Sequence, residues 1–284
     1  MRFSKVHGLG NDFLFVTPAA GLPPAAAASL ARRICDRHTG AGADGLIVLS
    51  VEKSDAPAEA RFRIFNADGS EAEMSGNGLR SAAAFLTWCG AVASPEILFH
   101  TAAGDRRAQV LSARGRRFEI RIGLGVPRLA SKDIPFDAGQ SLDRVFDHPL
   151  FVAGRTFPVT CVSMGNPHCS LFFDELPARG EWRAIGAGIE THPFFPRRTN
   201  VEFIRVVTRD EIEVRFWERG VGETLASGTG SAAAAVAAML KGLVGRTVTV
   251  RTATGSLKVE WPEGGEVFQT GPAEVVFSGD YPED

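Results

Sequence analysis

RIFNADGSEAEMSGNGLRSAAA, residues 63 to 84, has the same pattern as a later stretch, RFWERGVGETLASGTGSAAAA, residues 215 to 235. In both stretches a strand-like segment with alternating apolar residues leads to a serine, two closely spaced glycines and an alanine-rich helical segment. Ser75 of the first stretch aligns with Ser227 of the second, at an offset of 152 residues. The repeat predicts two copies of one structural unit.

A second pair of stretches supports the duplication. GLGNDFLFV, residues 8 to 16, is matched by SMGNPHCSLFF, residues 163 to 173, with Asn11 aligned to Asn166 at an offset of 155. Two matches in the same order and at nearly the same offset are hard to attribute to chance. The expected fold is α/β (α+β), with two pseudo-symmetric lobes facing one another across a cleft that holds the active site.

Local patterns fill in these lobes. Alternating residues predict strands, and apolar residues at helical spacing predict an amphipathic helix over residues 25 to 38. A glycine, proline and polar cluster at residues 123 to 133 predicts the junction. The expected domains are an N-terminal lobe of residues 1–125 with a closing strand at 274–284, and a C-terminal lobe of residues 126–273. The predicted strands are ARFRIFNA, RRFEIRIGL, EIEVRFWE and TVTVRTA.

Composition excludes several classes of protein. The 284 residues are 44% hydrophobic and 23% charged, as in a globular protein with a substantial core. A net charge of −2 without long basic runs argues against nucleic acid as a partner. The basic residues at the start are not followed by an apolar segment with a small-residue cleavage site, so no signal peptide is predicted. A cytoplasmic location is therefore expected. The apolar run at 231–240 is shorter than the roughly 20 residues that cross a bilayer, so it is predicted to be a packed helix and no membrane association is expected.

The cysteines and histidines do not indicate a metal site. Four cysteines lie without CxxC or other ligand spacing, and each is predicted to fill space in the core. His100, His148 and His192 lack cysteine or acidic neighbours at ligand spacing. No metal is expected.

The two serine and glycine motifs open helices, where unpaired backbone N–H groups and the helix dipole favour a bound carboxylate or phosphate. Serine is also among the best helix N-caps, so each serine taken alone is better explained as a cap. GTGSAA additionally fits a loose dinucleotide fingerprint, but the next strand offers no acidic residue for a ribose. The duplication favours an anion site shared by two helix starts.

Five motifs together resemble the diaminopimelate epimerase family of cofactor-independent amino-acid racemases, and the likeness runs from the first residues to at least residue 240. These motifs are FSKVHGLGNDF, FNADGSEAEMSGNGLR, SMGNPHC, RTNVEF and ERGVGETLASGTGSAAAA. The resemblance implies an isomerase that interconverts LL- and meso-diaminopimelate for lysine and peptidoglycan precursors. One side chain removes the α-proton and its counterpart delivers a proton to the opposite face. No cofactor is implied, the substrate is a small amino acid, and a homodimer is expected.

The family's residues carry over by motif. The resemblance implies catalytic positions at Ser75 and Ser227, assisted by His168 and Glu218, although His168 is equally explained as a structural histidine. Proline and hydroxyproline racemases share the fold, but the adjacent Glu218 and Arg219 favour a substrate with a second charged end. The implied substrate-binding residues are Asn11, Asn66, Gly76, Asn77, Asn166, Asn200, Glu218, Arg219, Gly228 and Thr229.

Ser75 and Ser227 depart from the family, whose two catalytic bases are cysteines. A thiol has a pKa near 8.5 and is acidified by a helix N-terminus, whereas an alcohol needs a neighbouring base. Serine is therefore expected to preserve substrate binding and to impair proton transfer. Three interpretations remain open: cysteines replaced deliberately to trap substrate, a natural variant with one-face exchange or elimination chemistry, and a non-catalytic amino-acid-binding homologue.

Overall fold

The structure is a computed structural model that describes residues 1–18 and 21–282. Residues 283 and 284, the end of the predicted closing strand, lie outside the described residues. The chain forms two compact units: the first consists of Met1–Gly123 and Thr270–Asp284, and the second of Leu124–Gln269. Each unit combines strands with helices, so the mixed α/β fold class is confirmed.

The first unit contains, in chain order, β1 (Arg2–Gly8), β2 (Asn11–Val16), α1 (Pro24–Ile34), β3 (Gly45–Lys53), β4 (Ala58–Asn66), β5 (Glu71–Ala72), α2 (Gly76–Trp88), β6 (Glu96–Thr101), β7 (Gly104–Arg114) and β8 (Arg117–Gly123). Strand β1 pairs antiparallel with β2, β2 parallel with β3, β3 antiparallel with β4, and β4 parallel with β6. Strands β6, β7 and β8 continue as an antiparallel meander.

The second unit contains a 3₁₀ turn (Ser131–Asp133), β9 (His148–Val152), β10 (Arg155–Ser163), β11 (Pro167–Phe173), α3 (Arg179–Glu190), β12 (Asn200–Thr208), β13 (Glu211–Glu218), β14 (Gly222–Thr224), α4 (Gly228–Leu240), β15 (Thr247–Thr252) and β16 (Gly255–Glu260). From β10 onward the pairing repeats the first unit: antiparallel, parallel, antiparallel, parallel, antiparallel. The predicted internal duplication is thus confirmed in the order and pairing of the elements.

The last strand, β17 (Phe268–Asp280), starts at the end of the second unit and continues in the first. It pairs antiparallel with β1, from Arg2 opposite Asp280 to His7 opposite Glu274. The N-terminal ammonium group of Met1 also donates to the carbonyl of Tyr281 at 2.6 Å. The first unit is therefore completed by both ends of the chain.

Alternation along the strands places one helix on each face of each sheet. In the first unit Leu14, Leu46 and Phe65 pack with the apolar face of α1, while Phe15 stacks on Phe85 of α2 at 5.3 Å between ring centroids. In the second unit Cys169, Leu171, Val201 and Phe203 pack with Trp182 and Ile185 of α3, and α4 lies against the other face. The alanine-rich run of α4 is buried, as predicted for a packed helix.

Two expectations are wrong in detail. The helix predicted over residues 25 to 38 ends at Ile34, because the Asp36 carboxylate accepts the N–H groups of His38 and Thr39 and turns the chain. Cys89 is exposed at the end of α2 rather than buried; Cys35, Cys161 and Cys169 lie in the core as predicted. Within residues 1–18 and 21–282, no helix is long and apolar enough to span a membrane.

Candidate functional site

Both duplicated motifs begin a 13-residue helix capped by the aligned serine. Ser75 is extended and its Oγ accepts from Gly78 N at 3.1 Å; Ser227 is extended and its Oγ accepts from Gly230 N at 3.2 Å. The capping interpretation of the two serines is therefore confirmed. Capping leaves the N–H groups of the first two helical residues without intrahelical acceptors, so each start still offers donors to an anion.

The second glycine of each motif is required by the space beneath the helix start. A Cβ at Gly230 would lie 2.9 Å from the Phe216 ring and 3.0 Å from Ser227 Oγ. At Gly78 it would lie 3.1 Å from the Cβ of Ser75. The glycines thus let each capping serine sit close against its own helix, which an ordinary N-cap does not require.

In the first unit the structure brings Asn11 and Asn77 together. Asn77 Nδ2 donates to Asn11 Oδ1 at 3.1 Å, and Asn11 Nδ2 donates to Asp44 at 2.7 Å. The guanidinium of Arg80, which is fully buried in α2, donates to Asn77 Oδ1. Burial lowers the pKa of Arg80 to about 9. Both amides are consequently held in one orientation by charged neighbours.

Asn11 is anchored further by the charged cluster below it. Arg37 donates to Asp44 and to Asp12, each at 2.7 Å, and Lys5 lies 2.8 Å from Asp12. Burial raises the pKa of Asp12, but the hydrogen bonds from Arg37 and Lys5 outweigh it and lower the pKa to about 2. The carboxylate therefore stays ionised.

Asn66 lies elsewhere in the first unit. It is exposed at the end of β4, where Nδ2 donates to Ser70 Oγ at 2.9 Å within its own hairpin. Its counterpart Glu218 ends β13 in the same way and is only partly exposed.

In the second unit the polar residues form a connected chain. Asn166 Nδ2 donates to Thr229 Oγ1 at 3.4 Å, and Asn166 Oδ1 lies 2.9 Å from Nε2 of His168. The other ring nitrogen of His168, Nδ1, lies 2.6 Å from Glu202 Oε1. Both nitrogens of this fully buried ring are occupied, which agrees with a structural histidine more readily than with a free base.

Asn200, Glu218 and Arg219 meet at the turn after β13. Asn200 Oδ1 accepts from Arg219 N at 2.9 Å, and Asn200 Nδ2 donates to the Pro167 carbonyl at 2.9 Å. The Arg219 side chain is exposed, and its Nη1 donates to the Arg197 carbonyl at 3.3 Å.

Glu190 supports this turn from below. Its carboxylate accepts from Gly220 N at 2.8 Å and from Trp217 Nε1 at 2.7 Å. Burial raises the pKa of Glu190, but these hydrogen bonds and that of Arg198 outweigh it, so the pKa is lowered and the anion persists. The turn that carries Glu218 and Arg219 is thus fixed by a buried charge.

Sequence reasoning missed four residues that orient the predicted ones: Asp44, Arg80, Glu190 and Glu202. A signal existed for Glu202, because it lies two residues after Asn200 in RTNVEF and must share its face of a strand. Glu190 and Asp44 gave no comparable signal. Among the residues that the structure describes, no group of histidine, cysteine, aspartate and glutamate side chains is arranged to hold a metal ion.

Comparison with solved structures gives the same fold. A probable proline racemase from Agrobacterium radiobacter superposes with a TM-score of 0.69 at 16% identity, covering all of this chain and 93% of that one. A predicted epimerase from Pseudomonas aeruginosa gives a TM-score of 0.66 at 17% identity, covering all of this chain and 99% of that one. At such low identity these likenesses carry the fold alone.

Comparison with known sequences identifies the family as well as the fold. The chain is 48% identical to the diaminopimelate epimerase of Pelotomaculum thermopropionicum over 99% of each chain, and 46% identical to that of Moorella thermoacetica over the full length of both. The diaminopimelate epimerase family model matches residues 3–129 and 160–276, which include both serine-capped helix starts. This chain therefore belongs to the diaminopimelate epimerase family.

Proposed function

We propose that this chain binds diaminopimelate and is built to interconvert its LL and meso forms, a step toward lysine and peptidoglycan precursors. The observation that carries the proposal is the duplicated helix start, with Ser75 and Ser227 in the same capping geometry. Helix geometry leaves N–H groups of each first turn without intrahelical acceptors. An epimerisation at one carbon needs one acid or base for each face. The duplication provides two matched positions for such a pair, Ser75 and Ser227.

The α-carboxylate is assigned to the backbone N–H groups of Gly76, Asn77, Gly228 and Thr229. These groups lie in the first turns of α2 and α4, where the helix dipoles favour negative charge. Loss of the α-proton shifts further negative charge onto the carboxylate. Under this assignment the donors are fixed before the reaction and stabilise the carbanion without reorganising, as in an oxyanion hole.

The distal ammonium and carboxylate groups are assigned to Glu218 and Arg219, with Asn11, Asn66, Asn166 and Asn200 completing the set. The rigid support of the Glu218 turn by Asn200 and Glu190 favours this role, because discrimination between stereoisomers requires fixed partners. Opposite charges on adjacent residues suit a substrate end that carries both an amine and a carboxylate.

Proton transfer is the step for which this chain is poorly equipped, because its two catalytic positions carry serine. A serine hydroxyl becomes a base only with help from a neighbour, and both ring nitrogens of His168 are taken by Asn166 and Glu202. We therefore propose that Ser75 and Ser227 retain binding and strongly slow exchange of the α-proton. This same observation favours the second candidate, a non-catalytic amino-acid-binding homologue, over a variant with one-face exchange or elimination.

We also propose that the chain needs no cofactor, acts in the cytoplasm and forms a homodimer. The lysines lie outside the duplicated motifs, which disfavours a Schiff-base mechanism. Light scattering during gel filtration tests the dimer directly.

The decisive experiment is proton NMR of LL- and meso-diaminopimelate in deuterated water with the protein, beside calorimetric titration of each isomer. Binding with little or no loss of the α-proton signal supports an epimerase scaffold deprived of its thiols. Rapid exchange with inversion would show that the two serines act as bases. Absence of binding to either isomer would refute the proposed substrate.

A further inference from the structure

A polar layer lies beneath α4 where the first unit has an apolar one. His168 is opposite Asn200, and Ser170 is opposite Glu202, in the parallel pairing of β11 and β12. All four side chains are buried, with relative exposures of 0%, 6%, 0% and 1% respectively. Strand alternation turns them away from the α3 core and toward α4.

The first unit shows that the fold does not need these groups. At the equivalent places of its parallel pair β2 and β3, Phe13 is opposite Gly45 and Phe15 is opposite Ile47. The offset of 155 residues that aligns Asn11 with Asn166 also aligns Phe13 with His168 and Ile47 with Glu202. One unit therefore packs its second helix on apolar side chains, while the other buries a carboxyl and an imidazole at the same positions.

The buried pair must be close to neutral overall. An isolated carboxylate removed from water is strongly disfavoured, and paired charges are tolerated only with good geometry. Burial raises the pKa of Glu202, the nearby charge of Glu218 adds to this, and contact with His168 opposes it. Ser170 Oγ donates a long hydrogen bond, at 3.5 Å, to the other carboxyl oxygen of Glu202, Oε2.

The near-neutral charge of the His168–Glu202 pair determines where its protons lie. If Glu202 is ionised, His168 carries protons on both nitrogens; if Glu202 is protonated, it donates to Nδ1 and the ring proton lies on Nε2. In both cases Nε2–H donates to Asn166 Oδ1, which is 2.9 Å away. The opposite orientation of Asn166, with its NH₂ group on Nε2, would leave a buried net charge of about −1.

We propose that Glu202 is a positioning residue: with His168 it holds one shared proton, and the pair locks the Asn166 amide with its oxygen inward and its NH₂ group toward Thr229. The role rests on the proposed function, because Asn166 and Thr229 are substrate-binding residues there. Glu202 acts through His168 and Asn166 and touches no substrate itself.

The proton arrangement is tested without any ligand. In the full chain with ¹⁵N-labelled histidine rings, Nε2 of His168 is expected to carry a proton at neutral pH, with the resonance assigned by its loss in His168→Phe. In Glu202→Ile the signals of this ring are expected to change, because the Nδ1 partner is gone. A wild-type ring with bare Nε2, or a spectrum unmoved by Glu202→Ile, overturns the proposal.

The consequence for binding is tested by titrating meso-diaminopimelate. Glu202→Ile and His168→Phe, which install the residue types of the first unit, are each expected to weaken binding about tenfold, the value of one well-placed hydrogen bond. Glu202→Gln is expected to stay within about threefold of wild type, since its amide can still donate to Nδ1. His148→Phe is the matched control, because His148 packs edge-on against Phe136 elsewhere in the unit, at 5.1 Å between ring centroids.

The double variant Glu202→Ile/His168→Phe separates positioning from general destabilisation. If Glu202 acts only through His168, the double variant binds as weakly as either single variant and no weaker. Additive losses, or equal losses in Glu202→Gln and Glu202→Ile, contradict the relay. If the wild type binds no diaminopimelate, the proposed function fails, whereas the histidine spectra still decide the proton arrangement.

Discussion

Asn77 in the first turn of α2 donates to Asn11 at the start of β2, at 3.1 Å. The second unit makes the equivalent connection with other groups, from Asn166 before β11 to Thr229 in the first turn of α4, at 3.4 Å. Both units therefore connect the helix start to the beginning of the first strand of the parallel pair, β2 in one unit and β11 in the other. The tie keeps the capping serine and the first asparagine of each unit in register.

Removal of the Asn77 amide is expected to destabilise the first unit. Asn77→Ala deprives the buried Arg80 guanidinium of one acceptor and Asn11 of its donor. A buried group that loses a hydrogen-bond partner costs about 1–3 kcal/mol. Urea unfolding measures the change, and Asn66→Ala, at an exposed hairpin of the same unit, should change the free energy of unfolding by less than about 0.5 kcal/mol. Equal effects of the two variants would contradict the role given to Asn77.

Two thiols are expected to supply the missing chemistry. In Ser75→Cys/Ser227→Cys each sulfur occupies the N-cap of a helix, where a thiolate is stabilised by the dipole and by the N–H groups now bonded to Oγ. Exchange of the α-proton with inversion should rise at least about 100-fold over this chain. Each single variant serves as control and should give little inversion. A double variant that binds substrate and remains inert would show that the serines are not what limits turnover.

The stability of the first unit should depend on acid through Asp12. Burial raises its pKa, but Arg37 and Lys5 lower it from 3.8 to about 2. Because the folded-state pKa is below the unfolded one, the stabilisation is complete above pH 4 and is lost as the pH falls toward 2, and it amounts to about 2 kcal/mol.

Asp12→Asn should therefore be less stable than the wild type at neutral pH and should approach it near pH 2. Urea unfolding at several pH values measures this, with Asp55→Asn at an exposed loop position as control. A constant difference between Asp12→Asn and the wild type at all pH values would rule out the ion pair as its source.

A methyl group at Gly230 is expected to disturb the second helix start. Its Cβ would approach the Phe216 ring to 2.9 Å and Ser227 Oγ to 3.0 Å, so Gly230→Ala should cost about 1–3 kcal/mol of overpacking. Gly180→Ala in α3 is the matched control, because a Cβ there meets nothing within 4 Å. The control should be neutral or stabilising by up to about 1 kcal/mol. Thermal unfolding of both variants reports the difference.

The sequence predicts those elements whose pattern is local. Strands β4 and β13 follow from strict alternation, and α4 from an alanine run behind a serine and two glycines. The predicted end of α1, at residue 38, lies four residues beyond the observed end at Ile34, because helical periodicity does not show that the Asp36 side chain can bind the following backbone. The prediction fails for Cys89 because residue type does not show which helix end reaches the surface: Cys35 follows α1 and is buried, whereas Cys89 follows α2 and is exposed.

The supports of the candidate site depend on pairings that no local pattern contains. His168 and Glu202 are 34 residues apart and meet only in the register of two parallel strands. Glu190 meets Gly220 across 30 residues, and Arg37 meets Asp12 across 25. The sequence alone is enough to predict the asparagines as candidate site residues. The charged side chains that orient them can be identified only from the three-dimensional structure.

The strand β17 has a consequence for how the chain matures on the ribosome. Synthesis proceeds from the N-terminus, so residues 1–123 emerge first, yet their unit also needs residues from 270 onward. The second unit is continuous from 124 to 269, so all of its residues are made before residue 270. The nascent first unit must therefore wait with an unpaired edge at β1, and the half made first is completed last.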